Sequence, residues 1–347
     1  MTLCRSRTFH SSARGLIFLL ALAACAGPGN GSASGHKVLR LAMVTDVGGL
    51  GDKSFNDSAY AGLLRARDKL GAQILVLQSK SAADYQPNLT VLANEDYDEV
   101  FAIGFLMNKD LSEVAQDYAQ GHFAIIDAVS DQPNVASATF REQDGSFLAG
   151  ALAAMVSKTR TIGFLGGIDV PLLRKFEAGF TAGARQIDPR VNVSVKYVGS
   201  FEDVASGKEL ASVMYDAGAD IIYVAAGRSG LGAIGETRAR PNVYAIGVDS
   251  DEDALVPGKI LTSMVKHVDA AVFAIAKAES EGHTPSGTIE LGLKDGGVGL
   301  TDFKYTKAVI GAANIARLAA LRQAIIAGKI VPPQTRAELA AFKPVKL

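Results

Sequence analysis

Short apolar runs alternate with longer amphipathic ones along most of the chain, and this alternation limits the possible folds more than any other feature. The runs Val38–Val44, Gln73–Leu77, Glu99–Ile103, Phe123–Ile126, Thr161–Leu165, Val193–Val198, Ile221–Ala225 and Tyr244–Val248 are strand candidates. Most are rich in β-branched residues and bounded by Gly, Asp or Ser, as buried parallel strands tend to be. Between them the spacing predicts helices over Ser58–Leu70, Lys109–Ala119, Gly145–Ser157, Leu172–Ile187 and Gly207–Ala217. A longer helix is expected over Val309–Ala327. Alternation at this spacing implies parallel sheets flanked by helices. Eight strands crowd a single sheet, whereas two α/β lobes in series suit a chain of 347 residues. No low-complexity linker separates two halves, which fits lobes joined by several short crossings.

The N-terminus has the character of a leader. Arg5, Arg7 and Arg14 precede an apolar run from Leu16 to Ala24, and Cys25 follows. The run is shorter than the roughly 20 residues a membrane-spanning helix needs, and it has the length of a signal-peptide core. Residues 1–24 are therefore expected to be a signal peptide. Leu22-Ala23-Ala24-Cys25 resembles a bacterial lipobox, which makes Cys25 the lipidated first residue of the mature chain. Residues 25–36 are Gly/Ser-rich and suit a flexible tether. Cys4 and Cys25 are the only two cysteines, so the folded body has no thiol for disulfides, thiolate metal sites or nucleophilic catalysis.

The formal net charge of -1 leaves no basic surplus for phosphates, and no nucleic-acid partner is expected. The five histidines, His10, His36, His122, His267 and His283, contain no pair at metal-ligand spacing. No GxSxG elbow is present. No catalytic residues, metal or cofactor are expected.

In open α/β sheets ligands bind beyond the carboxyl ends of the strands. Asp46, Asp127 and Asp249 each follow an apolar run, and the loop Gly227-Arg228-Ser229-Gly230 follows another. Any one of these aspartates could simply cap the next helix. Three together suggest a shared cleft. The segment Gly48–Asp57 also follows a strand and opens a helix, but it matches neither GxGxxG nor a P-loop. Within it Phe55 is a large apolar side chain among polar ones. It suits either a staple onto the helix or a stacking platform for a flat ligand. Phe176 and Phe180 are four residues apart, so both could be core, or one could face the cleft. Lys266, after the apolar run Leu261–Val265, is the only lysine at a strand end, and a solvated surface lysine is its plain alternative.

Five segments occur in one order: GDKSFND at Gly51–Asp57, FEAGFTAG at Phe176–Gly183, the Ala225–Gly230 loop, IGVDSD at Ile246–Asp251 and TSMVKHVDAAVF at Thr262–Phe273. Together they resemble the basic membrane protein (Bmp) family, which includes purine nucleoside receptor lipoproteins of ABC transporters. The resemblance runs from about Val38 to Thr301. It implies a type I periplasmic-binding-protein fold, with two Rossmann-like lobes joined by three crossings near Ala128–Ser130, Ser250–Asp253 and Thr284–Gly287. The first lobe would hold residues 37–128 and 251–284, and the second 129–250 and 285–347.

The same resemblance implies a purine stacked between Phe55 and Phe176, with Asp127 on the base. Asp249, Lys266 and the Gly227 backbone would hold the ribose, with Asp46 and Asn56 as further contacts. It also implies a monomer tethered by lipid on the outer side of a bacterial membrane, working with a permease and an ATPase. One departure stands out. The family loop usually reads GGTG where this chain has Gly227-Arg228-Ser229-Gly230, so Arg228 either points to solvent or changes the ligand range. A binding protein for a sugar or another small polar metabolite is the alternative reading. A cytoplasmic regulator on the same fold fits poorly with the leader.

Overall fold

The computed structural model describes residues 38–346, so the leader, Cys25 and the tether lie outside the described residues. Two six-stranded sheets organise what is described. In the first, β1 (Arg40–Thr45) pairs in parallel with β2 (Gln73–Gln78) and β3 (Glu99–Ile103). Next, β3 pairs with β4 (Phe123–Ile126), and β4 with β5 (Val135–Phe140). In the second, β6 (Thr161–Gly166) pairs with β7 (Asn192–Tyr197) and β8 (Ile221–Ala225). There β8 pairs with β9 (Tyr244–Asp249), and β9 with β10 (Ile260–Lys266). The last two strands are shared out: β11 (Gly287–Leu291) joins β5 in parallel, and β12 (Val298–Leu300) joins β10 antiparallel. The spatial orders are β11-β5-β4-β3-β1-β2 and β12-β10-β9-β8-β6-β7.

All eight expected strands are present. Those buried along their whole length, β3, β4 and β8, begin and end where the apolar runs do. A strand covered on both faces reads as a continuous hydrophobic run, so its ends are legible. The missed strands lack that signal. In β5 the buried sequence is VASATF, mostly small residues, and β11 is exposed over four of its five residues.

These strands move the crossings. The chain leaves the first sheet at Arg141, after β5, instead of near Ala128–Ser130. It returns at His267, after β10, instead of near Ser250–Asp253, because β10 stays paired with β9. It crosses a third time over 292–297, after β11, instead of near Thr284–Gly287. The first lobe's sheet segments thus lie within 38–140 and 268–291, in place of the expected 37–128 and 251–284. The crossings are tied to neighbouring strands. Arg141 N–H donates to Leu291 O at 2.9 Å, and His267 N–H to Gly297 O at 2.9 Å. All three therefore run along one side of the molecule, beside β5, β10, β11 and β12.

Helices cover the sheets. In the second lobe the helices Glu142–Val156 and Pro171–Ile187 approach closely enough that only glycine fits. A Cβ on Gly150 would sit 1.8 Å from Phe180 O, and one on Gly183 1.9 Å from Phe147 O. Phe180 turns inward against Tyr223, with ring centroids 5.3 Å apart, and fixes the helix from below. In the first lobe the helices Phe55–Leu70 and Val268–Ser280 meet at Gly62, where a Cβ would lie 2.5 Å from Asp269 O. The long helix expected over Val309–Ala327 is broken at Gly311, whose φ of 81° divides Lys307–Ile310 from Ala312–Ile326. Among the described residues no helix is long and apolar enough to cross a membrane.

Candidate ligand-binding cleft

A pocket lies where the strand ends of the two sheets face each other. Asp46, Phe55, Asn56, Asp127, Phe176, Gly227, Asp249 and Lys266 all line it. The sequence reading missed Asp52, Phe105, Leu172, Leu173 and Phe201, which line it as well.

At the centre is Lys266, only 2% exposed. Its Nζ lies 2.6 Å from Asp127 Oδ2 and 3.6 Å from Asp249 Oδ1. Burial works against the ammonium charge, but Asp127, Asp249 and the deeper Glu142 outweigh it and hold the lysine above its usual pKa. The same ammonium lies 4.7 Å from the Phe55 ring centroid and 5.7 Å from that of Phe176. Both rings are buried, at 9% and 3% exposure. The solvated alternative for Lys266 is thus excluded. Of the two phenylalanines in the second-lobe helix, Phe176 faces the cavity while Phe180 is core.

Asp127 and Asp249 share an unusual backbone. Their φ angles are 68° and 62°, a left-handed conformation uncommon outside glycine. Such outliers concentrate at functional sites, where the surroundings hold them. The bend turns both carboxylates off their strand ends toward Lys266. Each keeps one oxygen without a hydrogen-bond partner: Asp127 Oδ1 and Asp249 Oδ1 are both buried and unsatisfied, as is Asn56 Oδ1. Burial raises the Asp249 pKa and Lys266 lowers it. Ser54 Oγ donates to Asp249 Oδ2 at 3.1 Å, reaching across from the first lobe.

The capping alternative for Asp46, Asp127 and Asp249 belongs instead to a fourth residue, Asp52. It accepts from the N–H groups of Ser54, Asn56 and Asp57 at 3.0, 2.8 and 3.1 Å, at the start of the helix Phe55–Leu70. Asn56 Nδ2 then bridges Asp52 Oδ2 at 3.0 Å and Asp46 Oδ1 at 2.8 Å. The Asp46 carboxyl is pushed up to about 6 by burial, with the Asn56 amide and Gly48 N–H pulling the other way. Beneath Phe176, its neighbour Lys175 donates to Glu142 Oε2 at 3.1 Å and to Phe140 O at 3.3 Å. The helix that carries Phe176 is thereby fastened to the first crossing. Arg228 is exposed, lines the cavity and forms no ion pair among the described residues.

A cleft at the strand ends of two parallel lobes, with aromatic walls and carboxylate oxygens that lack a hydrogen bond, suits capture of a small polar molecule. A family model described as ABC transporter substrate-binding protein, PnrA-like, matches residues 39–335. The chain belongs to the Bmp family. This Bmp chain is 36% identical over 353 residues to a Lactococcus lactis protein named ABC transporter nucleoside-binding protein BmpA, covering 95% of the chain and 99% of that relative. It is 34% identical over 311 residues to a Pyrococcus abyssi protein named a lipoprotein, covering 85% of the chain and 77% of that relative. A crystal structure of an Aeropyrum pernix ABC transporter solute-binding protein superposes with a TM-score of 0.80 at 29% identity, over 87% of this chain and 96% of the other. The Bmp chain therefore has the periplasmic-binding-protein fold and is a substrate-binding protein of an ABC transporter.

Replacing Lys266 with Met would leave two buried carboxylates unpaired. Breaking a buried ion pair from one side costs about 3–5 kcal/mol, and the variant is expected to lose that much stability at neutral pH. Without the lysine the Asp249 pKa climbs further above its unfolded value. A carboxyl raised in the folded state costs stability above its pKa and stops doing so once protonated. The deficit should thus shrink as pH falls into the carboxylate range. Melting curves of wild type and Lys266→Met across pH would check this, and a deficit that grows on acidification would contradict it.

Proposed function

We propose that this Bmp chain captures a purine nucleoside between its lobes and delivers it to the permease and ATPase of an importer. The observation that carries the reading is the pair of buried rings, Phe55 and Phe176, both lining the cavity beside Lys266 with the free oxygens of Asp127 and Asp249. A purine is flat and suits stacking between rings. Its ribose presents neighbouring hydroxyls, and an ionised carboxylate is acceptor-only, so Asp249 is matched to them. Asp127 is assigned the N–H groups of the base, while Lys266 donates to ribose oxygens. The Gly227 backbone, Asp46 and Asn56 complete the contacts. The nucleoside-binding name of the Lactococcus relative supports the same chemistry. A sugar would also use Asp and aromatics, but it offers less flat area to two rings.

Calorimetry of the chain from His36 onward against adenosine, guanosine, inosine, cytidine and ribose tests this. Purine nucleosides are expected to bind best. Phe55→Ala should weaken them by about 1–3 kcal/mol, the worth of one stacked base. Asp249→Asn should cost about 1.5–3 kcal/mol for ribonucleosides, and less for analogues lacking ribose hydroxyls. Asp127→Asn should instead reorder adenosine, guanosine and inosine. Ribose binding as tightly as any purine nucleoside would overturn the reading in favour of a sugar.

We infer further that Cys25 carries lipid and holds the protein on the outer face of the membrane, as a monomer. The leader motif supports this, as does the lipoprotein name of the Pyrococcus relative. One acyl chain anchors marginally and several anchor firmly. Cys25→Ala is therefore expected to release most of the protein from the membrane fraction. A variant that stays there as before would rule the anchor out.

A further inference from the structure

One buried acid beside the cleft has no place among the ligand contacts. Glu142 opens the helix Glu142–Val156, directly after the first crossing at Arg141. It is fully buried, and it is not among the side chains that line the pocket. Its Oε2 accepts from Lys175 at 3.1 Å, while its Oε1 is buried with no hydrogen-bond partner. A buried acid left half unsatisfied is costly, and the cost calls for a reason.

Four groups act on this carboxyl from other elements. Lys175 comes from the helix Pro171–Ile187, Asp127 follows β4, Lys266 ends β10, and Tyr223 lies in β8. Phe140, the last residue of β5, touches both lysines: Lys266 lies 5.5 Å from its ring centroid, and Lys175 donates to its carbonyl at 3.3 Å. The chain neighbours of the acid, Arg141 and Asp144, pair with each other at 2.7 Å. Burial pushes the Glu142 carboxyl up to about 7, against the pull of Lys175, with Asp127 adding to the rise and Lys266 opposing it. The acid thus changes charge near neutral pH.

That charge bears on the aromatic wall. Ionised, Glu142 makes a charge-assisted bond to Lys175, about twice as strong as a neutral one. Lys175 immediately precedes Phe176, so the bond holds the start of the helix Pro171–Ile187 against the first crossing. Protonated, the carboxyl no longer attracts the ammonium. The Lys175 side chain is 23% exposed and has solvent to turn to. Lys266 at the same time loses one of the three acids, Asp127, Asp249 and Glu142, that hold its charge.

Resting on the reading that Phe176 stacks on the bound ligand, we propose that Glu142 is a proton-sensitive positioning residue of the cleft. Its ionised form holds Lys175, and through Lys175 the Phe176 wall, in the geometry that binds. Its protonated form loosens that wall. Ligand binding therefore favours the ionised acid and releases a proton. Affinity is full above neutral pH and falls as pH drops through about 7.

Calorimetry with adenosine at two pH values tests this. Glutamine copies the shape of the protonated acid, so Glu142→Gln keeps the fold and fixes the loosened state at every pH. At about pH 8 wild type should bind about 2- to 30-fold tighter than Glu142→Gln, the span for a residue that acts without touching ligand. At about pH 6 the two should converge, because wild type is then protonated as well. Asp46, at about 6, titrates in both proteins and cancels from their ratio. Lys175→Met should show the same loss at the higher pH, with no further loss in the double variant. A wild-type-to-variant ratio equal at both pH values marks a merely structural residue and would overturn the proposal. A second arm needs no ligand. Hydrogen exchange over Pro171–Ile187, corrected for its intrinsic pH dependence, should be slower in wild type at the higher pH and fast at both in Glu142→Gln. Exchange in wild type that ignores pH would overturn the proposal too. If adenosine binds wild type at neither pH while exchange responds as expected, the nucleoside reading fails and the proton-sensitive link stands.

Discussion

Everything at the cleft is arranged around one buried ammonium. Lys266 comes from the second sheet and reaches Asp127 at the end of a first-sheet strand, so a single ion pair bridges the lobes inside the cavity. Buried ion pairs are poor stabilisers in general, since desolvation offsets much of the attraction. Their value lies in specifying an arrangement. Here the lysine satisfies one oxygen of Asp127 and leaves the other free, while Asp249 keeps its own unbonded oxygen next to the charge. Such unsatisfied groups are costly in an empty site and become favourable once a ligand donates to them. A site built this way favours hydroxyl or N–H donors over apolar molecules of the same shape.

The fold supplies this constellation through its strand ends. Asp46, Asp127, Asp249 and Lys266 follow or end β1, β4, β9 and β10, and two of them bend back by left-handed backbone. Helix packing sets the aromatic walls. Glycines let the helices Glu142–Val156 and Pro171–Ile187 approach to backbone contact, and Lys175 fastens the second of these to the first crossing beside Phe176. The first crossing and the wall formed by Phe176 are thus directly connected.

Much of this is legible in the sequence, for physical reasons. Strands buried on both faces announce themselves as apolar runs, and a charged residue directly after such a run has nowhere to go but the cleft. That rule finds Asp46, Asp127, Asp249 and Lys266. It fails for β5, whose small residues pack without a hydrophobic signature, and for the exposed β11. Missing or misplacing the strands beside the crossings shifted every crossing toward the N-terminus. Asp52 was passed over because a capping aspartate and a ligand-facing one look alike within a Gly-rich loop. Phe105 and Phe201 share with Phe55 the signal of a lone ring between the end of a strand and the body of the helix that follows it.

The central claim is that a flat, donor-bearing nucleoside fits between Phe55 and Phe176 and completes the open valences around Lys266. Mass spectrometry of the small molecules carried by the mature chain, purified without denaturation or added ligand, tests it most directly. The account predicts a purine nucleoside at close to one per chain, and its loss from a Phe55→Ala, Phe176→Ala double variant. A sugar or other non-purine metabolite at that occupancy, retained by the double variant, would contradict it.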